Sequence, residues 1–173
     1  MNRGHALSMS LARAEDCDFL WEMLFYASHA NEQAVATVQS IRSDPDLAPY
    51  LAGWTARAGL CVIASQGGRQ IGAAWLRNFT AADSSLATFV DVSTPELAVA
   101  VVPSLIGGGV GSRLLEELTT EADAREIPQI VLSVRDNNPA VRLYQRHGFV
   151  LVDRIVNRVG GDSVKMIRSR VGC

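Results

Sequence analysis

The sequence predicts an α/β fold with a mixed sheet, and three observations point there. Short apolar runs of strand type recur between turn residues at Leu60–Ala64, Ile71–Leu76, Leu97–Val102 and Ile130–Val134. Two other segments carry apolar residues at helical spacing: Phe19, Leu20, Met23, Leu24 and Ala27, then Leu114, Leu115, Leu118 and Ala122. Between the Leu97–Val102 run and the second stripe lies a glycine cluster, Gly107–Gly111, that joins strand to helix with almost no loop. Strands alternating with helical stripes in this way are the mark of α/β architecture.

In chain order, Ser8–Ala12 is a short β-like opening and Asp16 stands at the N-cap position of the first helix. Residues 31–58 mix short helical pieces (Val35, Val38, Ile41) with the breakers Asp44-Pro45 and Gly53, a composition that suits either cleft-shaping or packing. Gln66-Gly67-Gly68 reads as the turn of a hairpin whose second arm is Ile71–Leu76. Leu97–Val102 and Ile130–Val134 are nearly continuous in apolar residues, so both are expected to be buried on two faces. Asn137–Arg146 is a short helix, and Phe149–Val156 with Val164–Ile167 form a closing hairpin around Gly160-Gly161.

Composition narrows the function. The chain has 173 residues and 18.6 kDa, 48% hydrophobic and 20% charged, which is the length and balance of one globular domain spanning 1–173. Lys+Arg 16 against Asp+Glu 18 gives a net charge of -2, without the basic footprint of a nucleic-acid binder. Cys17, Cys61 and Cys173 are odd in number and far apart, so neither a disulfide framework nor a zinc site is expected, and a reducing compartment is. His5, His29 and His147 have no metal-ligand spacing. With no signal-peptide core and no apolar run of membrane length, a cytoplasmic protein is expected.

The glycine cluster is where chemistry enters. Glycine lets a ligand approach the backbone and adopts positive φ without strain. The first N–H groups of a helix have no intrahelical partner, and the dipole there favours negative charge. Strand, glycine turn and helix together therefore make a phosphate cradle. A P-loop requires Gly-Lys-Ser/Thr, and the turn has no lysine. A dinucleotide fold requires GxGxxG, but Ser112 and Leu114 stand where the third glycine belongs in the two registers.

The third candidate is carried by residues beyond the turn. Val101-Val102-Pro103, Gly109-Val110-Gly111 and Leu114-Leu115 are followed by LSVRDNNPAVRLYQRHGF, in which Asn137, Ala140, Leu143, Tyr144, Gly148 and Phe149 keep a fixed order and spacing. Over about residues 96–149 this resembles the GNAT N-acetyltransferase superfamily, departing from it at Ile106, where the family prefers Gln or Arg. The resemblance implies a single GNAT-like domain with helices on both faces of a mixed central sheet. Its fourth and fifth strands, here Leu97–Val102 and Ile130–Val134, would splay apart to admit acetyl-CoA. Backbone of Val99, Ala100 and Val101 would pair with the pantetheine arm. The N–H groups of Ile106, Gly107, Gly108, Gly109, Val110, Gly111 and Ser112 would hold the pyrophosphate.

The same resemblance implies acetyl transfer to a primary amine of a small molecule or a protein, with no metal, no nucleic acid and no membrane partner, and a possible homodimer. A non-catalytic acyl-CoA-binding module of the same fold is the alternative. Tyr144 holds the family position of the general acid, although its spacing from Ala140 also suits an aromatic core residue. Glu96 is the candidate general base, acting through water, or else a solvated strand-end carboxylate; Asp91 is a weaker candidate. Asn137 suits either capping of the next helix or a bond to the cofactor. Trp75, Arg77, Trp54 and Tyr26 are candidates for an acceptor pocket, and Arg113 and Arg142 for CoA phosphates; core packing or surface solvation is the commoner explanation of each taken singly.

Overall fold

The computed structural model describes residues 6–83 and 86–170. Seven strands form one mixed sheet in the order β1-β2-β3-β4-β5-β7-β6. They are β1 (Leu7–Leu11), β2 (Leu60–Gln66), β3 (Arg69–Arg77), β4 (Glu96–Val101), β5 (Gln129–Arg135), β6 (Val150–Val156) and β7 (Asp162–Ser169). The helices are α1 (Cys17–Ala27), α2 (Val38–Arg42), α3 (Val110–Ala124) and α4 (Ala140–Arg146). β1 runs antiparallel to β2, β4 parallel to β5, and β7 antiparallel to both β5 and β6. His5 and Cys173 lie outside the described residues.

The chain groups into two compact units. One comprises Met1–Trp75 and Ala98–Leu118, the other Leu76–Leu97 and Thr119–Cys173. The core of the first is built by the predicted α1 stripe: Leu20, Met23 and Leu24 pack with Ile63, Ala73, Trp75 and Ala100, all of them buried. Each such large side chain contributes about 1.5–3 kcal/mol relative to exposure. Gly72 fits here for want of a side chain, because a Cβ would stand 2.9 Å from the Ala100 carbonyl. The core of the second unit holds Ile130, Leu132, Phe149, Val164 and Met166, each nearly or fully buried. A charged pair flanks that core: Arg168 donates to both oxygens of Asp123 at 2.9 and 2.6 Å. This bidentate bond holds the Asp123 carboxyl below its ordinary value.

Three local expectations need correction. Asp16 stands at the N-cap of α1, but its carboxylate accepts from the Arg13 N–H and the Gln70 amide, not from the helix. The helix expected at Asn137–Arg146 begins only at Ala140, because Pro139 has no N–H and Asn138 turns the chain. The β4 strand is not buried on both faces throughout: Leu97 and Ala100 are buried, whereas Ala98, Val99 and Val101 are half-buried. The helical piece expected at Val38 and Ile41 does form, as α2, capped by Thr37, whose hydroxyl oxygen accepts from the Ser40 N–H at 3.1 Å.

Candidate active site

In the first unit, β4 leads through a short 3-10 turn, Pro103–Leu105, into the glycine loop and α3. The Val102 N–H donates to Ile71 at 2.9 Å, which ties this end of β4 to β3. Val99 and Val101 are half-buried and Ala100 is buried, so their side chains pack while their backbone lies along the strand. Gly107 and Gly109 have φ of 86° and 83°, in the left-handed region that favours glycine. A Cβ at either would meet nothing within 4 Å, so a ligand can approach the backbone of this loop closely. Gly108 packs against Leu105, whose carbonyl accepts its N–H at 3.2 Å.

The first bond of α3 runs from Arg113 N–H to the Gly109 carbonyl at 3.2 Å. The N–H groups of Val110 and Gly111 therefore precede the helical ladder and face its positive end. Gly111 itself lies inside the first turn of α3, so its backbone is helical rather than left-handed. Ser112 is half-buried, and Ile106 is 73% exposed, which leaves the apolar departure from the family pattern at the surface. The loop has the features a pyrophosphate requires: open positive-φ glycines and a helix N-terminus of 15 residues.

The second unit holds the candidate proton-transfer groups. Tyr144 sits on α4, 8% exposed, with its ring edge-to-face against Phe149 at 5.9 Å. Burial pushes its phenol well above the ordinary value, so it keeps its proton at neutral pH. Glu96, at the start of β4, is 3% exposed, and its Oε2 accepts from the Thr88 hydroxyl at 2.6 Å. The solvated strand-end alternative is therefore wrong: β4 begins inside the fold because the preceding Thr94 and Pro95 are buried too. Asp91 is exposed and engaged in its own turn with Ser93 and Thr94; the Ser93 hydroxyl and N–H hold its carboxyl below the ordinary value.

Within the second unit β4 and β5 run parallel with Glu96 opposite Val131, and the Val131 N–H donates to the Pro95 carbonyl at 3.0 Å. From Gln129 to Arg135, β5 pairs along its whole length with β7.

Asn137 is exposed after β5 and lines a pocket of about 380 Å³ with Arg135, Asp136 and the hairpin residues Asn157, Val159, Gly161 and Asp162. It does not cap α4, whose N-cap is Pro139; the Ala140 N–H donates instead to Asn138 Oδ1 at 2.9 Å. The acceptor candidates separate. Trp75 is fully buried in the core and its Nε1 donates to Tyr50 at 3.4 Å, so it lines no pocket. Tyr26 donates to Glu22 at 3.3 Å. Trp54 is half-buried, and a Cβ on Gly59 would stand 2.2 Å from its Nε1. Arg77 is half-buried, while Arg113 and Arg142 are exposed on helices. Sequence reasoning missed Thr88 and Lys165, whose Nζ donates to the carbonyls of Ala87 and Phe89 at 3.2 Å each. Nothing in the local sequence signals a bond across 76–78 positions.

The comparisons agree with this geometry. The family model described as Acetyltransferase (GNAT) domain matches residues 54–151, and the chain belongs to the GNAT acetyltransferase family. Its structure is similar to yncA from Salmonella typhimurium with its cofactor acetyl-CoA, at 23% identity and TM-score 0.71, covering 97% of this chain and 96% of that one. It is similar also to the ribosomal-protein-S18-alanine N-acetyltransferase from Escherichia coli, at 20% identity and TM-score 0.65, covering 97% and 96%. A third likeness is to an Acinetobacter baylyi protein, at 19% identity and TM-score 0.70, covering 98% and 94%. At these identities the likeness establishes the fold. No curated protein matches the chain. Acetyl-CoA is the acyl donor of the family. Among the described residues no helix is long and apolar enough to cross a membrane.

Proposed function

We propose that the chain transfers the acetyl group of acetyl-CoA to a primary amine of a small molecule or protein, by direct attack in a ternary complex. The observation that carries this reading is the glycine loop, with open positive-φ backbone at Gly107 and Gly109 directly before the α3 N-terminus. In this reading the N–H groups of Gly107, Gly109, Val110, Gly111 and Ser112 hold the pyrophosphate, whereas those of Ile106 and Gly108 donate to the Pro103 and Leu105 carbonyls and only shape the loop. The backbone of Val99–Val101 pairs with the pantetheine amides, and Asn137 supplies a further polar contact.

Acetyl-CoA supplies an activated thioester carbonyl; the chain's residues move the protons. An alkylammonium, with a pKa of about 10.4, must first lose a proton. Glu96 accepts it through water and leaves a neutral nucleophile. The amine nitrogen bonds to the thioester carbon, the carbon–sulfur bond breaks, and the electron pair leaves on sulfur. Tyr144 donates its proton to that thiolate, whose thiol has a pKa of about 8.5 by analogy with cysteine. The nitrogen, positively charged once bonded to the carbonyl carbon, loses its second proton to solvent as the acetamide forms; Glu96 passes the first to solvent, and the phenolate is reprotonated from solvent. The products are the acetamide, free CoA thiol and one released proton.

The test is release of free thiol from acetyl-CoA with ethanolamine, spermidine, phenethylamine and a hexapeptide with a free N-terminus. Amine-dependent thiol release with formation of the acetamide supports the reading. Tight CoA binding with no thiol release on any acceptor overturns it in favour of a non-catalytic acyl-CoA-binding module.

A further inference from the structure

We propose that Thr88 and Lys165 are positioning residues for Glu96: Lys165 clamps the loop on both sides of Thr88, and Thr88 fixes the carboxylate that receives the amine proton. The inference rests on the reading of Glu96 as the general base.

Thr88 is 6% exposed and Glu96 3% exposed, so their bond forms away from water. Its length, 2.6 Å from Oγ1 to Oε2, is at the short end for an O–H···O hydrogen bond. A hydroxyl has a single proton to give, and this one is aimed at one oxygen of a buried acid. Such a bond fixes the carboxylate rotamer, and with it the position from which the acid takes a proton.

Thr88 lies in the loop before β4, not on a strand, and its placement depends on what holds that loop. Lys165 does so from β7. In the ladder it stands opposite Ser133 on β5 and Asp153 on β6. An ammonium beside Asp153 has an obvious surface partner across the strand pair. Its Nζ reaches instead to the carbonyls of Ala87 and Phe89, the two residues that bracket Thr88, at 3.2 Å each. Two charge-assisted bonds to the carbonyls on either side of Thr88 fix the short segment that carries the hydroxyl. The arrangement links β7 to the Glu96 carboxylate in three steps: ammonium to backbone, backbone to hydroxyl, hydroxyl to Oε2.

The experiment measures kcat, KM for acetyl-CoA and calorimetric CoA affinity, using whichever of the four acceptors gives the fastest thiol release. Thr88→Val should lower kcat by roughly 10–100-fold, the loss expected when a reacting group is misplaced by about an ångström. CoA affinity and KM for acetyl-CoA should not change. Thr88→Ser, which keeps the hydroxyl, should restore kcat to within about threefold of wild type. Because Thr88 acts through Glu96, adding Thr88→Val to Glu96→Gln should cost less than about twofold more. Lys165→Met should lower kcat in the same direction by a smaller factor, and that loss too should vanish in the Glu96→Gln background; it carries the test if Thr88→Val does not fold. A slow Glu96→Gln enzyme beside a folded Thr88→Val enzyme at wild-type kcat overturns the positioning role alone, as does a fully additive loss in the double variant. Wild-type kcat in Glu96→Gln, or no thiol release by the wild-type protein, overturns the reading of the base and this inference with it.

Discussion

Replacing Tyr144 by phenylalanine separates catalysis from packing at one position. The ring is buried and rests edge-to-face on Phe149 at 5.9 Å, and both features survive loss of the hydroxyl. Deleting the whole ring, as in Tyr144→Ala, should cost about 3–5 kcal/mol of stability for a buried aromatic. The aromatic pair adds about 0.5–1.5 kcal/mol to that loss. Tyr144→Phe should leave the melting temperature nearly unchanged and CoA affinity intact. Turnover should nevertheless fall by about 10²–10⁴-fold, the usual contribution of a general acid. That is about 3–5 kcal/mol of transition-state stabilisation. The sign of the pH dependence follows from the burial. The phenol is raised above its ordinary value of 10.0, and an acid must be protonated to act. Tyr144 should therefore impose no falling limb on the wild-type rate between pH 7 and 10. Steady-state kinetics, calorimetry and thermal melting on one Tyr144→Phe preparation make the comparison. Turnover within about threefold of wild type would refute the acid role and assign the proton to water.

Three further outcomes follow from the same structure. Gly109→Val forces a β-branched residue into φ of 83° and puts a side chain over the loop, so CoA affinity should fall by at least about tenfold in a folded protein; unchanged calorimetric affinity would remove the phosphate-binding role. Gly72→Ala sets a Cβ 2.9 Å from the Ala100 carbonyl and 3.1 Å from Leu114 Cδ1, and should destabilise by about 1–3 kcal/mol in denaturant unfolding through strain between β3 and β4. The Asp123 carboxyl is depressed chiefly by its bond to Arg168, so its contribution is present above its ordinary value of 3.8 and lost as pH falls below it. The stability difference between wild type and Asp123→Asn should accordingly shrink between about pH 5 and pH 3, and a difference independent of pH would show the pair to be inert.

Much of the architecture was legible because its signals are local. The α1 and α3 stripes, the Gly67-Gly68 turn and the Gly160-Gly161 hairpin each depend on residues within one or two turns of one another. The glycine loop is local as well, since positive φ at Gly107 and Gly109 is a property of the backbone there. The spacing from Asn137 to Phe149 announced the family for the same reason. Where neighbouring residues compete for one role, sequence is less decisive: Asn138, not Asn137, accepts the Ala140 N–H at the start of α4, and Asp16 turns its carboxylate to Arg13 and Gln70.

Long-range pairing was decided only by the tertiary structure. The apolar runs named the strands, but nothing in them says that β7 inserts between β5 and β6, because an apolar strand pairs with whichever edge the fold presents. Trp75 has the composition of a pocket residue and the burial of a core residue, a difference created by α1 and the segment around Tyr50 closing over it. Glu96 shows the limit best. A carboxylate at the start of an apolar strand reads equally as a solvated end or a catalytic group. Its partner Thr88 lies eight residues away in a loop without periodicity, and the lysine holding that loop lies on β7. Sequence periodicity reports which side chains leave water, whereas the partner of a buried charge is set by strand order and loop path, which exist only once the chain has folded.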